Sequence, residues 1–361
     1  MDNMKAWKHK DWEWQLANTL DTAEKLQEYM VLAPGEKAAV NVVSRVYKTG
    51  VSPFLAGRMK NPDAREPLRQ QFLPNPEELR PMSALWGDPL EEGRFSPVKG
   101  VIHKYPAKAA LVVTGKCFAY CRHCTRKNTR LQEDRELTAR ELEAAFDYIA
   151  KTPAIKDVLI TGGDPFTLTD EALDRILSAL RSIPHVSTLR IGTRSVVAAP
   201  MRITEKLADT IKKYHPVWIN IQCNHWAEIS PEMEKACDLL LSRGIPLGNQ
   251  SVLLKGINNN RKTMEALLLR LIQLRVRPYY LYQCDPVKGT GHFMTPYNEG
   301  ILLLRSLLGH LPGYAMPRFI VDTPGKGGKI PVDSGAVLEA EEGRMVLRDY
   351  EGDKVELHFP D

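Results

Sequence analysis

From residue 109 onward, short apolar and β-branched runs alternate with stretches in which apolar side chains recur every three or four positions. The runs at 110–114, 158–161, 188–192, 217–221, 247–252 and 279–283 predict strands, and the amphipathic stretches at 138–150, 170–180, 204–213, 231–242, 261–274 and 297–308 predict helices. Strand–helix units in succession predict a parallel βα sheet, and no GxGxxG follows the first strand to favour a dinucleotide fold. Ahead of this region lie Trp7, Trp12 and Trp14, helical patterning at 22–30 and 36–47, and Pro-rich stretches at 61–63, 74–76 and Pro81. These predict a helical arm with loops over residues 1–98 that wraps a neighbouring surface, a catalytic barrel over 99–332 and a short tail over 333–361. No repeat of fixed period, low-complexity tract or long linker interrupts the pattern.

With 361 residues, 43% of them hydrophobic, the chain is long enough to bury one large core plus extensions. No apolar run approaches the ~20 residues of a membrane span, and Met1-Asp2-Asn3-Met4-Lys5 lacks the pattern of a secretory leader. The expected location is the cytoplasm, with no membrane partner. Three of the six cysteines fall within eight consecutive positions, which in such a compartment points to metal or catalysis; Cys223, Cys237 and Cys284 are scattered and read as buried small hydrophobes. The formal charge is +5, but no Asp or Glu occurs over 93–132, where Arg94, Lys99, Lys104, Lys108, Lys116, Arg122, Arg126, Lys127 and Arg130 all fall. Such a stretch suits anions. These residues interleave with a strand and the cysteines and do not line one helix face, which favours small-molecule phosphates and carboxylates over nucleic acid.

The cysteines form C-x3-C-x2-C, Cys117-Phe118-Ala119-Tyr120-Cys121-Arg122-His123-Cys124, directly after the first predicted strand. Three thiolates on one loop can ligate three irons of a [4Fe–4S] cubane and leave the fourth open. A structural zinc would need a fourth ligand from His123 or a distant Cys. An open iron needs a chelating partner, which the amino and carboxylate groups of S-adenosylmethionine supply. The motif resembles the signature of the radical S-adenosylmethionine superfamily. In the same way Thr161-Gly162-Gly163-Asp164-Pro165, after the second strand, resembles that family's glycine-rich element for the methionine amino group, which assigns Gly162, Gly163 and Asp164 to cofactor binding.

Further on stands Asp322-Thr323-Pro324-Gly325-Lys326-Gly327-Gly328-Lys329, a glycine-rich loop whose closing Lys can condense with an aldehyde such as pyridoxal phosphate; alone it reads first as an exposed basic turn. Together with Asp11-Trp12-Glu13-Trp14-Gln15, His103-Lys104-Tyr105-Pro106, Cys121-Arg122-His123-Cys124-Thr125-Arg126, Gly248-Asn249-Gln250-Ser251-Val252-Leu253-Leu254, Tyr279-Tyr280-Leu281-Tyr282-Gln283-Cys284-Asp285 and Val321-Asp322-Thr323-Pro324, it resembles the lysine 2,3-aminomutase family over nearly the whole chain. The resemblance implies that Lys329 carries pyridoxal phosphate, that Lys104 and Lys108 sit near its phosphate where the family has arginines, and that Gln250 is a further cofactor-binding residue. It implies that Arg126 grips the substrate α-carboxylate and that Asp285 and Asp322 hold a distal ammonium. The implied reaction moves the α-amino group of L-lysine to C3, with a flavodoxin or ferredoxin as electron donor in a homo-oligomer. The cysteines, the Gly162-Gly163-Asp164 element and Asp285 lie just after a strand's C-terminal end, where (βα) barrels place active sites. The expected fold is therefore a partial (β/α)6 TIM-like barrel of the radical S-adenosylmethionine type, with an N-terminal helical extension and a short C-terminal tail.

Departures from the family pattern bear on substrate and subunit arrangement: Lys326 replaces a glycine, Lys288 adds charge near Asp285, Gln222 and Cys223 stand where relatives show His and Phe, and the cysteine near Asn260 and the C-terminal zinc cysteines are missing. Glutamate, arginine or a protein lysine are alternative substrates for the same chemistry. The other readings are a radical enzyme without pyridoxal phosphate and a zinc- or nucleic-acid-binding module.

Overall fold

The computed structural model describes residues 11–82, 85–129, 133–332, 335, 337–341, 344–348 and 352–358; Trp7 and Arg130 lie outside them. Its core is one sheet of nine strands in chain order: β1 (Val101–Tyr105), β2 (Lys108–Val112), β3 (Asp157–Thr161), β4 (Thr188–Thr193), β5 (Val217–Ile221), β6 (Leu247–Leu253), β7 (Arg277–Gln283), β8 (Arg318–Thr323) and β9 (Gly328–Pro331). β2 to β8 are parallel neighbours, while β1 and β9 pair antiparallel at the two edges. The predicted strands correspond to β2–β7. The sequence pattern did not show β8, because its apolar run is only Phe319-Ile320-Val321, too short to carry a period.

The two sheet edges meet through side chains. The Lys329 backbone N–H donates to the Tyr105 hydroxyl at 2.9 Å and the Lys104 ammonium donates to the Thr323 carbonyl at 2.7 Å, drawing β1 and β9 together. At Gly328, with φ +65°, a Cβ would come within 2.7 Å of the Tyr105 ring, so only glycine lets that edge approach.

Among the described residues the arm has five α-helices: α1 (Trp12–Ala17), α2 (Ala23–Gln27), α3 (Glu36–Val43), α4 (Pro53–Ala56) and α5 (Pro67–Phe72). The barrel helices are α6 (Ala139–Ala150), α7 (Asp170–Arg181), the single turn α8 (Ser195–Ala198), α9 (Glu205–Lys212), α10 (Pro231–Ser242), α11 (Arg261–Gln273) and α12 (Tyr297–Leu307). Thr138, Thr169, Thr204, Ser230 and Asn260 open α6, α7, α9, α10 and α11, each side chain accepting from an N–H three residues on. Each helix then turns an apolar face inward, as α7 does with Leu173, Ile176, Leu177 and Leu180.

The arm packs on the chain's own barrel and joins its hydrophobic core through Leu55, Met59 and Phe72. The Arg58 guanidinium donates to the carbonyls of Ala227 and Glu228, and Ser52 Oγ donates to that of Ala198. The arm also holds the cysteine loop by main chain, with Tyr120 N–H on the Gly50 carbonyl at 2.9 Å and Arg122 N–H on that of Gln71 at 2.8 Å. The segment read as a short tail contains an antiparallel sheet, β10 (Val337–Glu341), β11 (Arg344–Arg348) and β12 (Lys354–His358). Among the described residues no helix is long and apolar enough to cross a membrane.

Candidate active site

A cavity of about 580 Å³ opens inside the curved sheet, and every site residue singled out from the sequence lines it: Cys117, Cys121 and Cys124; Gly162, Gly163 and Asp164; Arg126; Gln250; Asp285 and Asp322; Lys104, Lys108 and Lys329. Lys288 and Lys326, the two lysines that depart from the family pattern, are exposed and lie outside it. Cys223, Cys237 and Cys284 are buried away from it in apolar surroundings.

The three thiols emerge from the loop after β2. Burial pushes the Cys124 thiol up to about 11, with Cys121 adding to the shift, and burial together with Asp164 and the other two sulfurs raises the Cys117 thiol well above its ordinary value. Three neighbouring thiolates repel one another, and a cationic partner such as iron offsets that repulsion. Two donors already address the sulfurs: Arg194 Nη1 lies 2.8 Å from Cys121 Sγ and the Arg126 backbone N–H 3.4 Å from Cys124 Sγ. These residues fit a three-thiolate cluster.

Gly162 and Gly163 stand where two backbone segments approach closely. A Cβ at Gly162 would meet the Thr114 carbonyl oxygen at 2.4 Å, and one at Gly163 the Lys116 oxygen at 2.1 Å. The glycines thus let the loop after β3 seat against the backbone leading into the cysteine loop, with Gly163 and Asp164 N–H groups bonded to the Thr114 and Lys116 carbonyls. Asp164 is 4% exposed and accepts from the Thr193 hydroxyl and the backbone N–H groups of Arg194 and Phe166, so it ties the ends of β3 and β4 together.

At the β8–β9 hairpin, Asp322 and Lys329 are ladder partners, so their side chains lie on one face. The Lys329 ammonium pairs with the Asp322 carboxylate and lies 5.1 Å above the centre of the Tyr282 ring. Lys104 sits 4.0 Å from Asp322, and Lys108 stands over the Tyr105 ring at 4.6 Å. An aldehyde bearing a phosphate fits here, with one amine to condense with it and two ammonium groups beside it. Asp285 is pushed up to about 7, first by burial and then by the nearby Asp322 charge. Gln250 accepts from the Tyr279 hydroxyl at 2.9 Å.

The basic run of 93–132 is mostly neutralised by partners from other segments. Arg122 and Lys127 share Glu78, Arg126 pairs with Glu92, Arg94 with Glu91, Lys99 with Glu133 and Lys116 with Glu136. Glu78 is fully buried, and its two cations hold its carboxyl below the usual range against the opposing effect of burial. Glu78→Ala leaves both cations buried without their counter-charge. The expected loss is about 3–5 kcal/mol, read as a lower unfolding midpoint that Glu78→Gln restores only in part.

Sequence reasoning missed several residues of the cavity. Arg194 follows β4 and joins Cys121 to Gln71 and Glu228, at 2.6 and 2.8 Å, within a buried network; its place after a strand end was the available signal. Glu92 grips Arg126 from a loop with no motif. Tyr279, Tyr280 and Tyr282, together with the Arg190–Asp157 pair, complete the wall.

Residues 111–268 match the Radical SAM superfamily and residues 304–361 match the Lysine-2,3-aminomutase family. The chain is 43% identical to the L-lysine 2,3-aminomutase of Clostridium subterminale over 95% of its own length and 82% of that protein. It is 41% identical to the enzyme of the same name from Bacillus subtilis, over 96% and 73%. It is 37% identical to the glutamate 2,3-aminomutase of Clostridioides difficile, over 96% and 83%. These similarities make the chain an isomerase belonging to the lysine 2,3-aminomutase family of radical S-adenosylmethionine enzymes.

Proposed function

We propose that the enzyme converts L-lysine to L-β-lysine. The observation that carries this reading is the half-buried pair Asp285 and Asp322 beside Lys329, with Arg126 in the same cavity. A reduced cluster with S-adenosylmethionine supplies hydrogen-atom abstraction, and pyridoxal phosphate supplies the carbon that carries nitrogen while it moves. The chain's own residues do the rest. Cys117, Cys121 and Cys124 hold the cluster, and Gly162, Gly163, Asp164 and Gln250 bound the S-adenosylmethionine site. Lys329 holds the pyridoxal group and Lys104 and Lys108 its phosphate. Arg126 receives the α-carboxylate, a planar guanidinium being suited to two-pronged bonding. Asp285 and Asp322 take the distal ammonium, and the cavity walls restrict water and geometry. A distal carboxylate would face two acidic groups, which disfavours glutamate. Residues 99–332 form the catalytic unit in this reading. A flavodoxin or ferredoxin as electron donor, homo-oligomeric assembly and a cytoplasmic location complete it.

The test offers L-lysine, L-arginine and L-glutamate separately to reconstituted enzyme and identifies the β-amino acids formed. Lysine should turn over fastest, and Asp285→Asn and Asp322→Asn should each raise its KM. Because Asp285 must be ionised to hold an ammonium, kcat/KM for lysine should climb as pH rises through about 7, with a profile that Asp285→Asn flattens. Faster turnover of glutamate, or unchanged lysine kinetics in both variants, would overturn the assignment.

A further inference from the structure

Glu92 occupies Arg126 in a geometry that the assigned roles do not explain. Its carboxylate takes the Nε–Nη2 edge of the guanidinium, with Nε at 3.2 and 2.9 Å from the two oxygens and Nη2 at 2.8 Å. The remaining nitrogen, Nη1, has only long contacts, 3.4 Å to the Thr161 hydroxyl and 3.5 Å to the Gly162 carbonyl. The turn that carries Glu92 is held by its backbone. The Asp88 carboxylate receives the Glu92 and Gly93 N–H groups at 3.0 Å each, Glu91 is held at φ +53°, and the Phe95 carbonyl accepts the His103 N–H of β1 at 2.8 Å. Both side chains line the cavity and each is 18% exposed.

We infer that Glu92 is a specificity-determining residue: a resident carboxylate that shares Arg126 with the incoming α-carboxylate and so limits how much that carboxylate contributes to binding. The inference rests on Arg126 being the α-carboxylate site. Two carboxylates on one guanidinium repel each other in a partly dry pocket, and the pair already has no net charge to offer a second anion. A ligand that brings only a carboxylate is held poorly, so recognition falls to the ammonium end, and amino acids without a distal cation are filtered out.

The test is calorimetry on anaerobic holoenzyme, wild type and Glu92→Gln, with iron and pyridoxal phosphate content checked to be equal. Glu92→Gln should bind L-lysine about tenfold tighter and propionate about tenfold tighter, while 1,5-diaminopentane, which lacks the carboxylate, changes by less than about twofold. Adding Arg126→Met to Glu92→Gln should abolish the gain for propionate. Equal or weaker binding of lysine and propionate in Glu92→Gln overturns the inference, as does an equal change for the diamine, which would mark a merely structural role. If wild type fails to bind lysine but propionate still tightens through Arg126, the lysine reading falls and the role of Glu92 stands. If lysine turns over and propionate is indifferent to Glu92, the reverse holds.

Discussion

Alanine at any one of Cys117, Cys121 or Cys124 should reduce iron content to background and abolish formation of 5′-deoxyadenosine under dithionite, while pyridoxal phosphate content stays near that of the wild type. Three thiolates are the minimum that hold a cubane with an open iron, so losing one leaves two. Among the described residues no further thiolate is at hand, because Cys223, Cys237 and Cys284 are buried outside the cavity. The loop cannot shift to bring in another donor either, because its backbone hangs on Gly50 and Gln71 of the arm and Phe118 is 1% exposed in the core. Iron retained together with S-adenosylmethionine cleavage in any of the three variants would refute the cluster assignment.

The arm's part in that site could not be read from its own residues. Helical patterning at 36–47 was legible, because apolar side chains at Ala39, Val40 and Val43 recur on one face, and the structure has α3 there. What the pattern does not encode is that Gln71 bonds Arg194, Glu228 and Asn224 and, through Arg194, backs Cys121. Such contacts join positions more than a hundred residues apart and have no local period. The cysteines and glycines, by contrast, were legible because their chemistry demands fixed spacing on one loop. Between these extremes stands Arg194, which sits at a strand end where the barrel places function. Glu92 marks the limit: an acidic residue in a turn has a solvated surface charge as its default, and only the fold brings it to Arg126.

The hairpin of β8 and β9 supports the other large effect, which concerns Lys329. Its sequence offers two lysines in one glycine-rich turn, but the ladder distinguishes them: Lys329 pairs with Asp322 and lines the cavity, whereas Lys326 lies in the turn outside it. Lys329→Ala should therefore lose covalently held pyridoxal phosphate and lower turnover by about 10⁴-fold or more, with cluster iron retained because the cysteines lie on a different loop. Alanine also removes the cation from Asp322, which is 6% exposed beside Asp285, so electrostatic and covalent roles must be separated. Lys329→Arg separates them, because it keeps a cation for Asp322 and cannot condense with an aldehyde. Arginine should restore stability towards the wild-type value yet leave the chromophore and turnover absent. Borohydride reduction of the loaded enzyme followed by peptide mapping should place the label on Lys329; label on Lys326, or turnover restored by arginine, would show that Lys329 acts through charge and not through the bond.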